Sequence, residues 1–282
     1  MIYRTLGKTG IKASAVAFGG IVVDGKEPAE AANIVAAAVN AGVNYFDVAP
    51  TYGNAQYKLG PALQPWRKQT FLACKSGQKT AERLTAELEE SLKALKTDYF
   101  DVYQLHACDE ELDTVLGPGG ALEAIVKARQ QGKVRFIGMS THRERSALYL
   151  MTQFSFDTMM HPINWSNNIK IGTGDLALKL AAQQHMGRLA LKTLALRPLG
   201  DNEPTRFPGC WYMPITDNEY LSELAMKFSL SRTDVAISPG AEELFGLMLK
   251  LIDRPGIDIA PNAEEMQYLI NEANKVEQIF VD

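Results

Sequence analysis

Residues 71–106 read FLACKSGQKTAERLTAELEESLKALKTDYFDVYQLH, and they hold one complete strand–helix–strand unit. Phe71–Cys74 is a short apolar run of the kind that buried strands carry. From Thr80 to Leu95, the residues Leu84, Leu88, Leu92 and Leu95 recur three or four apart, so they share one face of a helix. Thr80 stands where a hydroxyl can cap the free N–H groups at a helix start. Tyr99–Leu105 is a second apolar run, again rich in aromatic and β-branched residues. Two strands joined by a crossover helix are parallel.

The same alternation extends in both directions. Strands are expected at Ser14–Phe18, Tyr45–Asp47, Phe71–Cys74, Tyr99–Leu105, Val134–Met139, Thr158–Ile163, Arg188–Leu191 and Val235–Ser238. Helices are expected at Pro28–Ala41, Thr80–Leu95, Gly120–Gln131, Arg143–Met151, Gly174–His185, Glu219–Ser231 and Ala241–Leu251. A last helix follows Asn262, which has the capping-box spacing with Glu265. The pattern predicts an α/β fold, a (β/α)8 TIM barrel formed by residues 1–282 as one domain. The rival is an open doubly wound sheet, but Phe18-Gly19-Gly20-Ile21-Val22-Val23 lacks the glycine spacing usual after its first strand. Between Tyr3 and Ala13, the turn Gly7-Lys8-Thr9-Gly10 predicts an N-terminal β-hairpin able to plug the barrel bottom. Leu199–Thr216, with Pro204, Pro208 and Pro214, reads as a long irregular loop.

Composition narrows the function. The chain has 282 residues, 46% of them hydrophobic, which suffices for one large core. A net charge of −4, with no run of like charges, gives no pull toward nucleic acid or an anionic membrane. Cys74, Cys108 and Cys210 are scattered and odd in number, so no disulfide framework is expected. The histidines His106, His142, His161 and His185 lack metal-ligand spacing, and no metal is expected. Without a signal-peptide pattern or a membrane-length apolar run, the expectation is a cytoplasmic protein of undetermined oligomeric state.

Four polar residues fall at the C-terminal ends of successive strands, the face where barrels place their chemistry: Asp47, Tyr52 just beyond it, Lys75 and His106. A phenol parts reluctantly from its proton at neutral pH, and an ammonium neighbour eases that loss. Tyr52 is therefore a candidate general acid for a carbonyl reduced by hydride. Asp47 would hold Lys75 in place, and His106 would donate a hydrogen bond to the carbonyl oxygen. Each residue singly has a plainer role, as turn former, solvated lysine or rim residue. All four on one face call for a common explanation.

Two segments resemble the signatures of the aldo-keto reductase superfamily. Asn44-Tyr45-Phe46-Asp47-Val48-Ala49-Pro50-Thr51-Tyr52-Gly53-Asn54 is similar to the stretch around its catalytic Asp and Tyr. Residues 91–106 are similar to the stretch ending in its catalytic His, and Lys75 stands where the family has its Lys. Residues 132–140 resemble the strand that leads to the nicotinamide carboxamide. The resemblance implies a (β/α)8 barrel and an NAD(P)H-dependent reductase of aldehydes, ketones or sugars. Catalysis would fall to Asp47, Tyr52, Lys75 and His106.

Candidate cofactor contacts are Gly19, Asp47, Ser140, Asn164, Lys192, Thr193, Ser238, Gly240 and Glu243. The chain departs from the family in several places. Ser140 is followed by Thr141 where Asn is common, and Met160 replaces a common Gln. Glu242 and Glu243 stand where basic residues often hold an adenosine 2′-phosphate. NADP(H) is the expected cofactor, with NAD(H) open. Trp165, Trp211 and Tyr212 are candidate pocket walls for a small-molecule substrate. Two other readings stand beside the reductase. One is a nicotinamide-binding sensor with little turnover, and the other is an aldolase that forms a Schiff base on Lys75.

Overall fold

The fold is seen in a computed structural model that describes residues 1–280. Strands β1 (Tyr3–Thr5) and β2 (Lys12–Ser14) pair antiparallel as the expected hairpin. Eight parallel strands follow: β3 (Val16–Gly19), β4 (Tyr45–Asp47), β5 (Phe71–Ser76), β6 (Phe100–Leu105), β7 (Val134–Ser140), β8 (Thr158–Pro162), β9 (Gly187–Leu191) and β12 (Val235–Ile237). β12 pairs with both β9 and β3, so the ring closes into a barrel. Two short strands, β10 (Ala195–Arg197) and β11 (Met213–Pro214), form an antiparallel pair beyond β9. The long segment after β9 is thus folded back on itself rather than irregular throughout.

Helices surround the barrel: α1 (Pro28–Asn40), α2 (Ala55–Leu63), α3 (Ala81–Ala94), α4 (Leu112–Leu116), α5 (Ala121–Gln130) and α6 (Glu144–Gln153). They continue as α7 (Trp165–Ile171), α8 (Asp175–Gln183), α9 (Glu219–Leu230), α10 (Glu242–Ile252) and α11 (Ala263–Ala273). Asn262 and Glu265 form the capping box of α11. Thr80 does not cap α3 with its hydroxyl; its backbone instead bridges to Gly120. Helix α2 is hidden in the sequence by Gly60 and Pro61, which break a helical pattern. Gly60 is needed there, since a Cβ would stand 2.5 Å from the Ala94 carbonyl oxygen.

Strand alternation sorts the side chains. Phe46, Cys74 and Tyr103 face the helices, whereas Tyr45, Ala73 and Val102 face the barrel interior. Two residues further on, Asp47, Lys75 and Gln104 take the interior phase as well. At the opposite end Leu6, fully buried, enters the interior cluster from the hairpin and closes the bottom. Burying such a side chain is worth ~1.5–3 kcal/mol. Lys8 N–H donates to the His185 carbonyl at 2.6 Å and ties the hairpin turn to the barrel. Among the described residues no helix is long and apolar enough to cross a membrane, and no cluster of ligating side chains could hold a metal ion.

Candidate active site

The C-terminal ends of the strands surround a cavity of about 440 Å³. Asp47, Tyr52, Lys75 and His106 all line it, so the structure brings the four together. The Lys75 ammonium is buried and makes an ion pair with Asp47 Oδ1. It also donates to Tyr52 Oη at 3.1 Å. The second carboxylate oxygen of Asp47 accepts from Gln104 Nε2 at 2.9 Å. Burial alone would lower the Lys75 pKa, but the Asp47 carboxylate and the Tyr52 oxygen outweigh it and hold the ammonium above the usual lysine range. A lysine held protonated by its ion pair is a poor amine nucleophile, which weighs against the Schiff-base reading of Lys75.

The His106 ring lies edge-on to Tyr52, with centroids 5.9 Å apart. Burial first, and then the Lys75 charge, push its pKa down to about 3. The imidazole is therefore neutral near pH 7, with one N–H to donate. Trp211 also neighbours the Tyr52 ring, with ring centroids 6.0 Å apart.

The candidate cofactor contacts divide. Gly19, Asp47, Ser140, Lys192, Ser238 and Gly240 line the cavity. Ser238 Oγ accepts from the Gly19 N–H at 2.9 Å, and its own proton is left to donate. Gly209 and Gly240 meet so closely that a Cβ on Gly240 would stand 2.1 Å from the Gly209 oxygen. No side chain caps α10, so the first-turn amides beside Gly240 are open to a phosphate. Hydroxyl donors and free helix-end amides in one cleft fit a dinucleotide cofactor.

Asn164, Thr193 and Glu243 do not line this cavity. Asn164 is fully buried and its amide is spent within the fold. Its Oδ1 caps α7, and its Nδ2 donates to the carbonyls of Lys192 at 3.0 Å and Ala195 at 2.8 Å. Thr193 is buried too. Glu243 is exposed and pairs with Arg206 at 3.0 Å, while Glu242 lies 3.6 Å from Lys26 Nζ. Of the aromatic candidates, Trp211 and Tyr212 wall the cavity. Trp165 is instead wholly buried in the core. Thr141, in the position where the family often has Asn, has its hydroxyl 3.0 Å from His161 Nδ1.

Three participants escaped the sequence pattern. Gln104 carried a signal, since it lies on β6 two residues before His106, which follows the strand end, and in the inward phase of that strand. Ile279 and Phe280 also line the cavity and carried none. They are held there by Asn167, which accepts from Ile279 N–H at 2.9 Å and donates to the Phe280 carbonyl at 2.7 Å.

Residues 15–170 match the model of the Aldo/keto reductase family. The chain is 35% identical over 153 residues to an L-galactose dehydrogenase of Arabidopsis thaliana, covering 49% of this chain and 47% of that protein. It is 33% identical over 158 residues to a 6-dehydroglucose reductase of Novosphingobium aromaticivorans, covering 49% and 51%. The chain thus spans about half the length of these two relatives. The holo form of an aldo-keto reductase from Bacillus halodurans has the same fold, with a TM-score of 0.74 at 21% identity over 99% of this chain and 98% of that one.

Proposed function

The chain belongs to the aldo/keto reductase family, and from that premise we propose that it is a nicotinamide-dependent oxidoreductase that interconverts carbonyl compounds and alcohols. The whole chain, residues 1–282, serves as one catalytic barrel. The single observation that carries this reading is the Lys75 ammonium, ion-paired with Asp47 and 3.1 Å from the Tyr52 oxygen inside the cavity.

When bound, the nicotinamide supplies the hydride for the carbonyl carbon. Tyr52 Oη gives its proton to the carbonyl oxygen as negative charge grows there. The Lys75 ammonium stabilises the phenolate that remains, and Asp47 fixes the ammonium. Neutral His106 donates a hydrogen bond to the same carbonyl oxygen, orienting it and spreading the charge. Trp211 and Tyr212 give the substrate an apolar wall, and aldehydes, ketones and sugars are the substrate class.

Ser140, Ser238, Gly240 and the first amides of α10 hold the cofactor. NADP(H) is the preferred form and NAD(H) is accepted. Arg206 and Lys26 bring positive charge beside Glu243 and Glu242, so the adenosine end meets neither a clear basic cluster nor an uncompensated acidic one. Three unpaired, buried cysteines suit a reducing compartment such as the cytoplasm.

The test is turnover of a panel of aldehydes, ketones and sugars with NADPH and with NADH, followed by nicotinamide absorbance. Oxidation of either cofactor that depends on a carbonyl substrate supports the reading. Binding of cofactor without turnover of any substrate overturns it.

A further inference from the structure

Lys192 follows β9 and lines the cavity. Its Nζ lies 4.9 Å from the ring centroids of both Trp211 and Tyr212. Among the described residues it has no carboxylate partner and no hydrogen-bond acceptor. Asp47 is the only acid among the described lining residues, and both of its oxygens are taken by Lys75 and Gln104. Among the described residues the cavity therefore carries one cation more than its own side chains neutralise.

The position of Lys192 is built. Its backbone is left-handed, at φ +64°, a region that side-chain-bearing residues enter at a cost. Its carbonyl accepts from Asn164 Nδ2 at 3.0 Å and from the Ala195 N–H at 3.0 Å. Burial, and the nearby Lys75 charge, bring the Lys192 pKa down to about 8. A half-sequestered cation is stabilised only in part by ring faces, and it favours any ligand that brings a counter-charge.

We propose that Lys192 is the anchor for an oxyanion on the carbonyl substrate, so that carboxylate- or phosphate-bearing aldehydes and ketones are taken in preference to neutral ones. This rests on the reading of the cavity as a carbonyl-reducing site. Trp211 touches both the Lys192 ammonium and the Tyr52 ring, so anchor and acid share one aromatic wall. The cofactor pyrophosphate is the rival anion. The uncapped start of α10, beside Gly240, offers that anion a separate place.

The experiment uses the full chain with saturating NADPH and two matched pairs: 4-carboxybenzaldehyde against benzaldehyde, and glyceraldehyde 3-phosphate against glyceraldehyde. In the unaltered protein kcat/KM is expected to favour the anionic member of at least one pair. Lys192→Met is expected to lower that preference ~10-fold or more, the scale of a lost charge-assisted hydrogen bond, while Lys192→Arg retains most of it. The NADPH dissociation constant of each variant is measured by fluorescence. A preference that survives in Lys192→Met overturns the proposal. So does a rise in the NADPH dissociation constant that matches the loss in kcat/KM, which assigns the ammonium to the cofactor. If the unaltered protein turns over both members of each pair equally, the subsite fails and the reductase reading stands. If it turns over none of the four, the subsite fails, and the broader panel with both cofactors decides the reductase reading.

Discussion

Gln104 Nε2 stands 2.9 Å from Asp47 Oδ2, the oxygen of that carboxylate that Lys75 does not take. Groups from the next two strands thus fix one carboxylate, and the carboxylate fixes the ammonium beside Tyr52. Breaking a buried ion pair from one side leaves the other charge stranded, at a cost of about 3–5 kcal/mol. Lys75→Met is expected to lose stability on this scale in urea unfolding. The pair Lys75→Met with Asp47→Leu is expected to recover part of the loss. A double variant no more stable than Lys75→Met would show that the two charges are not coupled.

Tyr52→Phe keeps the ring against Trp211 and His106 and deletes the acid. It should lower kcat by ~100- to 10,000-fold. Fluorescence titration should find the cofactor dissociation constant little changed. Turnover at the unaltered rate would remove Tyr52 from the chemistry.

His161 is wholly buried, and burial pushes its pKa down to about 4 from an ordinary 6.5. The unfolded chain therefore binds the proton more readily than the folded one. Stability is full above pH 6.5 and falls as the pH drops toward 4, by about 3 kcal/mol for this group. His161→Gln should flatten that part of the stability profile relative to the unaltered protein. Parallel profiles for the two would contradict the assignment. His106, pushed down to about 3, should for its part add no limb to the kcat profile between pH 5 and 8.

Asn164→Ala removes the cap of α7 and leaves the Lys192 and Ala195 carbonyls without their amide donor. A lost cap costs ~1 kcal/mol and a buried group left unpaired ~1–3 kcal/mol. A total loss of roughly 2–4 kcal/mol in urea unfolding is expected. A loss below about 1 kcal/mol would mean that the segment after β9 is held by other contacts.

Glu243→Ala frees Arg206 from its pair at the start of α10. The ratio of NADPH to NADH affinity should rise several-fold, read by paired titrations. An unmoved ratio would place the adenosine ribose elsewhere.

The barrel was legible because strand and helix periods differ and each repeats along the chain. The inward set was legible because Asp47, Lys75 and His106 each end an apolar run. What stayed hidden depends on partners distant in sequence. Asn164 looked available for a ligand, but α7 takes its Oδ1 and the segment after β9 takes its Nδ2. Trp165 lies next to it, one position into α7, and so turns into the core. Helix α2 was masked because Gly60 answers to the close approach of the end of α3 rather than to helix propensity, and Pro61 follows it. Phe280 reaches the cavity through Asn167, 113 positions away. Nor could the sequence tell that Lys192 has no acidic partner among the described residues, since that depends on the cavity wall.

With Leu6 and the hairpin stoppering the far end, the barrel is a vial rather than a pipe. Whatever enters must depart through the same doorway, in reverse order of depth. A dinucleotide lying against the strand ends would then be walled in by the molecule above it. Turnover would be paced by traffic at that doorway, whose lining includes Trp211 and Phe280.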